Sequence, residues 1–204
     1  MKNITRLLLV ASVVALILGA GMIAVMFIEG RPLHPASAAG DLALGGPFTL
    51  VGSDGKTVTD ESYRGKLLLV YFGYTYCPDV CPTTLNNIAQ ALIELGTQAS
   101  AVTPVFITVD PKRDTPKKIG AYVKAFDPRI VGLTGSDAQI AAVAKEYRVY
   151  YAPQSADETG NYLVDHSSFI YLMNRSGKLV KFMPGSLSGV EMADAIRPFI
   201  RAGS

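Results

Sequence analysis

Residues 67–95 read LLLVYFGYTYCPDVCPTTLNNIAQALIEL. The opening run, Leu67 to Tyr74, is continuously apolar and aromatic, which is typical of a strand buried on both faces of a sheet. From Thr83 to Leu95 the apolar residues recur at intervals of three and four, which predicts an amphipathic helix. Cys77 and Cys81 lie between the two, where the ligands of open α/β sheets bind, beyond the carboxyl end of a buried strand.

The alternation of strand and helix continues on both sides of this segment. We predict a hairpin over residues 47–58, strands over 102–109, 130–133 and 166–173, a return strand over 178–183, and helices over 115–126, 137–147 and 186–199. Ser136 is the expected N-cap of the third helix. This order predicts one α/β domain in which helices cover both faces of a mixed sheet.

The composition excludes several classes of protein. Of the 204 residues, 49% are hydrophobic and only 18% are charged, which excludes a disordered chain. The formal net charge of +2 gives no support to a nucleic-acid partner. With only two cysteines, the chain is neither a multi-disulfide scaffold nor a four-cysteine zinc protein.

Much of the excess hydrophobicity lies at the amino terminus. Residues 7–28 carry no charge, and a helix of this length, about 33 Å, would span a bilayer core. Lys2 and Arg6 precede this run and favour a cytoplasmic amino terminus, which places the rest of the chain on the extracytoplasmic side. An Ala-Ser-Ala stretch, residues 36–38, leaves a cleaved signal peptide as the alternative, although the apolar run is long for one.

We therefore divide the chain into three parts. Residues 1–28 are the cytoplasmic start and a transmembrane anchor in the inner membrane, 29–42 are a tether rich in Pro, Ala, Gly and Ser, and 43–204 are an α/β domain on the periplasmic side. Without residues 1–40 the chain has no net charge, so bulk charge indicates no partner. His34 lies in the tether, where a histidine is expected to be solvated.

The two cysteines allow three interpretations: a structural disulfide, a redox pair or two ligands of a soft metal. A disulfide here would close so short a loop that it would contribute only about 2 kcal/mol, which disfavours a purely structural bridge. Pro82 suits the first position of a helix, so we expect Cys81 at the N-cap and Cys77 in the loop before it. The helix N-terminus favours a thiolate there.

A third ligand would decide between redox and metal chemistry, and His166 is the sole histidine of the domain. Two thiolates and one imidazole form a soft donor set that suits copper, as Cu(I) through sulfur and as Cu(II) with the added nitrogen. Zinc would need a fourth ligand, which Asp79 or water could supply. A thiol protease is disfavoured by the paired cysteines.

Other candidate residues are less specific. After a predicted strand, Asp114 or Thr115 is expected to cap the next helix, and Asp110 is a candidate for a role near the metal. Asp79, between the cysteines, is either a residue for metal entry or partner docking or simply a solvated loop residue. Four aromatic residues along the first buried strand and its end are expected to be mostly core: Tyr71, Phe72, Tyr74 and Tyr76.

Three motifs in order resemble the marks of the Sco/SenC family: residues 71–82 (YFGYTYCPDVCP), 109–116 (VDPKRDTP) and 164–167 (VDHS). The likeness covers roughly residues 43–203. It implies a thioredoxin-like fold, one copper ion bound by Cys77, Cys81 and His166, and delivery of copper to cytochrome c oxidase.

The resulting hypothesis is a membrane-anchored copper metallochaperone whose partner is the copper-site subunit of cytochrome c oxidase, with other copper chaperones or thiol reductants as further partners. The alternative is an enzyme, an extracytoplasmic thiol–disulfide reductase in which Cys77 and Cys81 attack and resolve a partner's cysteines. A thiol peroxidase is disfavoured, because nothing besides the thiolate would activate a peroxide.

Overall fold

The computed structural model describes residues 44–202. The predicted transmembrane anchor (7–28) and the whole tether (29–42), with its alternative cleavage site, lie outside the described residues. Within the described range, no helix has the length and apolar character needed to cross a membrane.

Nine strands and four α-helices alternate along the described part of the chain. The strands are β1 Thr49–Gly52, β2 Thr57–Thr59, β3 Leu67–Gly73, β4 Val102–Thr108, β5 Val131–Thr134, β6 Tyr151–Pro153, β7 Val164–His166, β8 Phe169–Met173 and β9 Leu179–Pro184. The helices are α1 Val80–Glu94, α2 Pro116–Lys124, α3 Asp137–Glu146 and α4 Gly189–Arg201, with 3-10 turns at Asp60–Tyr63 and Gly96–Ala101.

Seven of the strands form one mixed sheet in the order β2-β1-β5-β4-β3-β8-β9. Strands β3, β4 and β5 are parallel, and their neighbours run antiparallel to them. The predicted hairpins at β1–β2 and β8–β9 are confirmed. The central strand is β3, and all seven of its residues are buried, as its continuous apolar sequence predicts.

Helices cover both faces of this sheet. Tyr71 and Phe72 are consecutive in β3, so their side chains point to opposite faces. On one face, Tyr71 packs against Phe106 of β4, which packs in turn against Tyr122 of α2. On the other face, Phe72 packs against Tyr147 at the end of α3. The predicted arrangement is therefore confirmed.

The predicted single strand over residues 166–173 is wrong. The chain instead forms two strands, β7 and β8, in different sheets. His166 pairs with Tyr151 in the small antiparallel sheet β6–β7, whereas Phe169 begins β8 in the main sheet. The break follows from the hydrogen bonds of the residues between them: Ser167 N donates to Tyr150 O, but Ser168 O accepts from Gly185 N beside β9.

Candidate metal centre

The cysteines lie in a short loop and the first turn of a helix at the carboxyl end of the central strand. Cys77 lies between β3 and α1, and Cys81 lies in the first turn of α1; both are buried as free thiols. Gly73, the last residue of β3, makes room for them. A Cβ atom at this position would lie 2.6 Å from the Cys81 Sγ and 2.8 Å from the Phe106 ring.

The predicted start of this helix is wrong by two residues. The helix begins at Val80 with Asp79 as its N-cap, so Cys81 is the second helical residue and Pro82 the third. The Asp79 side chain makes no capping hydrogen bond; instead, the Cys81 backbone N–H donates to the Cys77 Sγ at 3.4 Å. The sulfur therefore satisfies a free N–H of the helix N-terminus. Pro82 is tolerated because the N–H that it lacks has no partner in a first turn.

His166 completes a cluster with both cysteines. Its Nε2 lies 3.3 Å from the Cys81 Sγ, and the three ligand atoms all lie within 4.8 Å of one another. The other ring nitrogen, Nδ1, lies 3.2 Å from the Ser167 carbonyl oxygen, which leaves Nε2 facing the sulfurs. The predicted residues Cys77, Cys81 and His166 are thus brought together from two distant segments of the chain.

The two thiols have very different proton affinities. The hydrogen bond from Cys81 lowers the pKa of Cys77 to about 4, and this outweighs the opposing effect of burial; His166 and the Asp79 backbone contribute in the same direction. The pKa of Cys81 is raised, because its proton is held in the bond to Cys77 and because it is buried. The pair therefore carries one thiolate at neutral pH, with the charge on Cys77.

The loop that carries the cysteines is anchored by Asp114, which is fully buried. Its carboxylate accepts hydrogen bonds from the backbone N–H of Thr75 at 2.9 Å, from the Thr75 hydroxyl at 2.5 Å and from the Thr108 hydroxyl at 2.7 Å. The helix cap that we considered for Asp114 is instead provided by Thr115, whose hydroxyl accepts from Lys118 N. Asp114 thus fixes the chain two residues before Cys77.

Aromatic side chains surround the histidine. The Tyr74 hydroxyl accepts a hydrogen bond from the backbone N–H of Val164 at 3.1 Å, and its ring meets the His166 imidazole edge to face, with centroids 5.8 Å apart. The Tyr71 ring lies 6.4 Å away, and its buried hydroxyl has no hydrogen-bond partner among the described residues. Tyr71 and Tyr74 are core residues as predicted. The prediction is wrong for Tyr76, which is 46% exposed because it lies on the loop.

Asp110 does not contact the ligands. Its carboxylate forms an ion pair with Arg113 and accepts a hydrogen bond from the Tyr162 hydroxyl at 2.8 Å. The Arg113 guanidinium lies over the Tyr162 ring, 3.7 Å from its centroid. The sequence patterns did not predict these contacts of Arg113 and Tyr162. The only signal for them was the charged segment after β4.

One side of the cluster is open to solvent. Asp79 and Val80 beside the cysteines are exposed, and His166 is half-buried. The exposure of Asp79 fits a solvated loop residue as well as a position at an entry to the site, so its role in metal entry or partner docking stays a prediction. The cluster of possible metal ligands in the described residues comprises Cys77, Cys81 and His166, without Asp79, so the fourth ligand that zinc usually requires would come from solvent.

Comparison with known proteins assigns the family. The sequence model of SCO1/SenC matches residues 36–201. A SCO2-like protein of Rickettsia prowazekii is 37% identical over 202 residues, which cover 96% of this chain and 97% of the relative. The chain belongs to the SCO1/SenC family. It spans less of a longer relative, the mitochondrial SCO1 homolog 1 of Arabidopsis thaliana, with 47% identity over 71% of this chain and 43% of that protein.

Solved structures of the SCO1/SenC family share this fold. The copper-bound crystal structure of Arabidopsis thaliana ScoI has a TM-score of 0.74 and 43% identity, over 78% of this chain and 99% of that one. BsSco is a member of the Sco family of cytochrome c oxidase assembly proteins and has a disulfide switch. Its structure has a TM-score of 0.61 and 25% identity, over 79% of this chain and 94% of that one. The thioredoxin-like α/β fold implied by the sequence resemblance is confirmed.

The donor set of this SCO1/SenC protein fits a soft metal ion. Two sulfurs and one imidazole nitrogen converge within 4.8 Å, the pKa of Cys77 is lowered to about 4, and the neighbouring side chains of Tyr71 and Tyr74 are aromatic and buried. Thiolate and imidazole are the ligands that Cu(I) and Cu(II) accept at such a site. The same dithiol, without the imidazole, also has the chemistry of disulfide exchange.

Proposed function

We propose that this chain is a copper metallochaperone that binds one copper ion through Cys77, Cys81 and His166 and delivers it during assembly of the copper site of cytochrome c oxidase. The observation that carries the proposal is the convergence of the three donor atoms within 4.8 Å. Binding of copper releases the Cys81 proton to solvent, so that two thiolates would hold Cu(I), and the imidazole would add the nitrogen that Cu(II) prefers.

Transfer of the ion proceeds by ligand exchange. A partner's thiolates and imidazoles replace those of this site one at a time at its open side, beside the exposed residues Asp79 and Val80. A three-ligand site favours this exchange because an incoming ligand finds a free coordination position. We propose the copper-site subunit of cytochrome c oxidase as the acceptor, and other copper chaperones or thiol reductants as the partners that load and reduce the site.

The proposal includes a membrane anchor. Residues 7–28 are uncharged and long enough to cross a bilayer, and the basic residues before them favour an extracytoplasmic domain, on the periplasmic side of the inner membrane. The tether then lets the domain reach a membrane-embedded oxidase. Extraction of membranes with carbonate tests this part: an anchored chain stays in the pellet, and a chain that is released contradicts the anchor.

The copper site is tested by titrating the reduced full-length chain with copper in detergent and recording thiolate-to-copper charge transfer. We expect one equivalent to bind and His166→Ala to weaken Cu(II) binding on the order of 100-fold through loss of a ligand. The matched control is His34→Ala, because His34 is the other histidine of the chain. Equal affinities of the wild type and His166→Ala would contradict the three-ligand site.

A second function, reduction of a partner's disulfide, is favoured by the split of the thiol pKa values, which suits an attacking Cys77 and a resolving Cys81. It ranks below copper transfer because it gives no role to the contact of 3.3 Å between Cys81 and His166. Dithiol exchange that is unchanged in His166→Ala and faster than any copper transfer would reverse this ranking.

A further inference from the structure

The ligand histidine is not part of the main sheet. His166 ends β7, a strand of three residues that pairs only with β6 among the described strands, whereas the cysteines follow the central strand β3. Hydrogen bonding within the small sheet does not connect β7 to the cysteine segment. The chain joins β7 to the main sheet on its carboxyl side, where β8 begins at Phe169 and pairs with β3. On the amino-terminal side of His166, side-chain contacts connect the two regions.

Arg113 provides such contacts at the junction of three segments. Its guanidinium lies 3.7 Å from the ring centroid of Tyr162 in the loop before β7, and 4.9 Å and 5.8 Å from those of Tyr76 and Tyr74 in the cysteine segment. Guanidinium groups bind aromatic faces at these distances. The third segment is the loop after β4, which carries Arg113 itself and its ion-pair partner Asp110.

Tyr162 lies only four residues before His166, and hydrogen bonds hold the chain between them. The Tyr162 hydroxyl donates to Asp110 at 2.8 Å, so both the ring and the hydroxyl of this tyrosine are held by the Asp110–Arg113 pair. Two residues later, the Val164 N–H donates to the Tyr74 hydroxyl. The chain then reaches His166 after two more residues.

We propose that Arg113 is a positioning residue that holds β7 against the cysteine segment and so sets the distance of the His166 imidazole from the two sulfurs. The inference rests on the proposed copper function. It assigns to the charged segment after β4 a role that is neither a helix cap nor direct metal binding.

Arg113 contacts the tyrosine rings through the planar face of its guanidinium group. Its Nε donates to Asp110, while Nη1 and Nη2 are buried and have no hydrogen-bond partner among the described residues. These two nitrogens lie among the tyrosine rings instead. Lysine would keep the positive charge but has no planar group to stack, so Arg113→Lys removes the clamp while it leaves the net charge unchanged.

The matched control is Arg129→Lys. Arg129 also forms an ion pair with an aspartate through Nε and Nη2, but it does so with Asp127 in the segment before β5, away from the ligands. A second variant, Tyr162→Phe, keeps the ring and removes only the hydrogen bond to Asp110. If Arg113→Lys is poorly stable, Tyr162→Phe tests the same set of contacts by the same measurements.

The first measurement uses the reduced, metal-free full-length chain. We expect Arg113→Lys to accelerate amide hydrogen exchange over residues 162–167 about tenfold and to weaken the nuclear Overhauser contact between Tyr74 and His166. Exchange over β3 should stay unchanged, and Arg129→Lys should behave as the wild type at both places. Unchanged exchange and an unchanged Tyr74–His166 contact in Arg113→Lys would overturn the inference, whether or not copper binds.

The second measurement is a double-mutant cycle on copper affinity. In the wild-type background, Arg113→Lys should weaken Cu(II) binding about tenfold, as substitutions beside metal ligands do, and should diminish the nitrogen hyperfine signal of Cu(II). In a His166→Ala background it should have no further effect, because Arg113 acts through the histidine. If the effects of Arg113→Lys and His166→Ala on copper affinity are fully additive, the inference is overturned, and Arg113 acts on the cysteine segment instead. Failure of the wild type to bind copper would contradict the proposed function alone.

Discussion

The two halves of the metal centre are held in different ways. The cysteine segment follows β3, which pairs with a strand on each side and buries every one of its residues. The histidine segment is β7, three residues in a two-stranded sheet, and its ligand is half-buried. The core of the domain therefore holds the two proposed sulfur ligands, whereas the proposed nitrogen ligand is held by a short strand at the edge of that core and by a small number of contacts.

This difference has a consequence for metal exchange. Segments with few buried apolar contacts open at a lower free energy than the core of a domain does. We expect the cysteines to keep their geometry with and without metal, and β7 to carry His166 towards and away from them. If the proposed function holds, we expect the site to release the His166 ligand first when transfer of the ion begins.

The largest test of this comparison removes one ligand from each half. Cys81→Ser should weaken Cu(I) binding on the order of 1,000-fold, because a soft ion loses a buried thiolate, whereas His166→Ala should cost Cu(I) only about tenfold. Competition titrations against a Cu(I) chelator measure both values. Equal losses for the two variants would mean that the halves contribute alike, and the comparison would fail.

The next test concerns the fixed geometry of the cysteines. With the pKa of Cys77 at about 4, its thiol is almost fully ionised at pH 6, where a thiol of ordinary pKa near 8.5 is about 0.3% ionised. Ultraviolet thiolate absorbance of the reduced, metal-free protein should show this difference of about 300-fold. Cys77→Ser should abolish the low-pH transition. Cys81→Ala should move it up, because the hydrogen bond from Cys81 is the main cause of the lowered value.

The same ionisation makes the stability of the reduced domain depend on pH. Unfolded Cys77 keeps its proton up to pH about 8.5 whereas the folded residue loses it near pH 4, so stability should rise with pH across this interval and be lost as the pH falls to about 4. The raised pKa of Cys81 has the opposite sign: above pH about 8.5 the unfolded thiol ionises first, and stability should fall. Denaturant titrations at several pH values measure both slopes.

Sequence patterns predicted the cysteine half of the site well, because it depends on local features. The apolar run of β3 and the periodicity of α1 identify the elements on either side of Cys77 and Cys81. The start of the helix was misplaced because the capping acceptor is a sulfur, for which the usual capping residues give no signal. The grouping of Cys77, Cys81 and His166 could be predicted from residue type, since the domain has one histidine.

The histidine half was predicted less well, because it depends on contacts between distant segments. The break between β7 and β8 arises from hydrogen bonds of Ser167 and Ser168 to different partners, which no local periodicity reveals. Likewise, Asp114 precedes a helix and has the sequence position of a cap, yet its carboxylate binds Thr75, thirty-nine residues away. Spacing alone cannot distinguish a cap from an anchor.

Asp114 provides the fourth test, because it anchors the cysteine half alone. Asp114→Asn replaces one acceptor oxygen by an amide nitrogen, which cannot accept from Thr75, and this should lower the unfolding free energy by about 2–3 kcal/mol. Copper affinity should fall with it, since Thr75 lies two residues before Cys77. The control is Thr115→Ala, which removes the true helix cap and should cost about 1 kcal/mol without any effect on copper. Equal copper affinities in the wild type and Asp114→Asn would show that the cysteine loop does not need this anchor.

The smallest expected effect concerns the hydrogen bond that connects the two halves, between the Tyr74 hydroxyl and the Val164 N–H. Tyr74→Phe keeps the ring beside His166 but removes the hydroxyl that accepts from the Val164 N–H, which then has no partner in a buried position. The cost should be about 1 kcal/mol, and because β7 opens separately from β3, it should appear as roughly fivefold faster exchange of the Val164 amide with unchanged exchange in β3. Tyr76→Phe is the control, since Tyr76 is exposed on the same loop. If Tyr74→Phe instead accelerates exchange in β3 and β7 to the same extent, then β7 unfolds only together with the core, and His166 is held as firmly as the cysteines are.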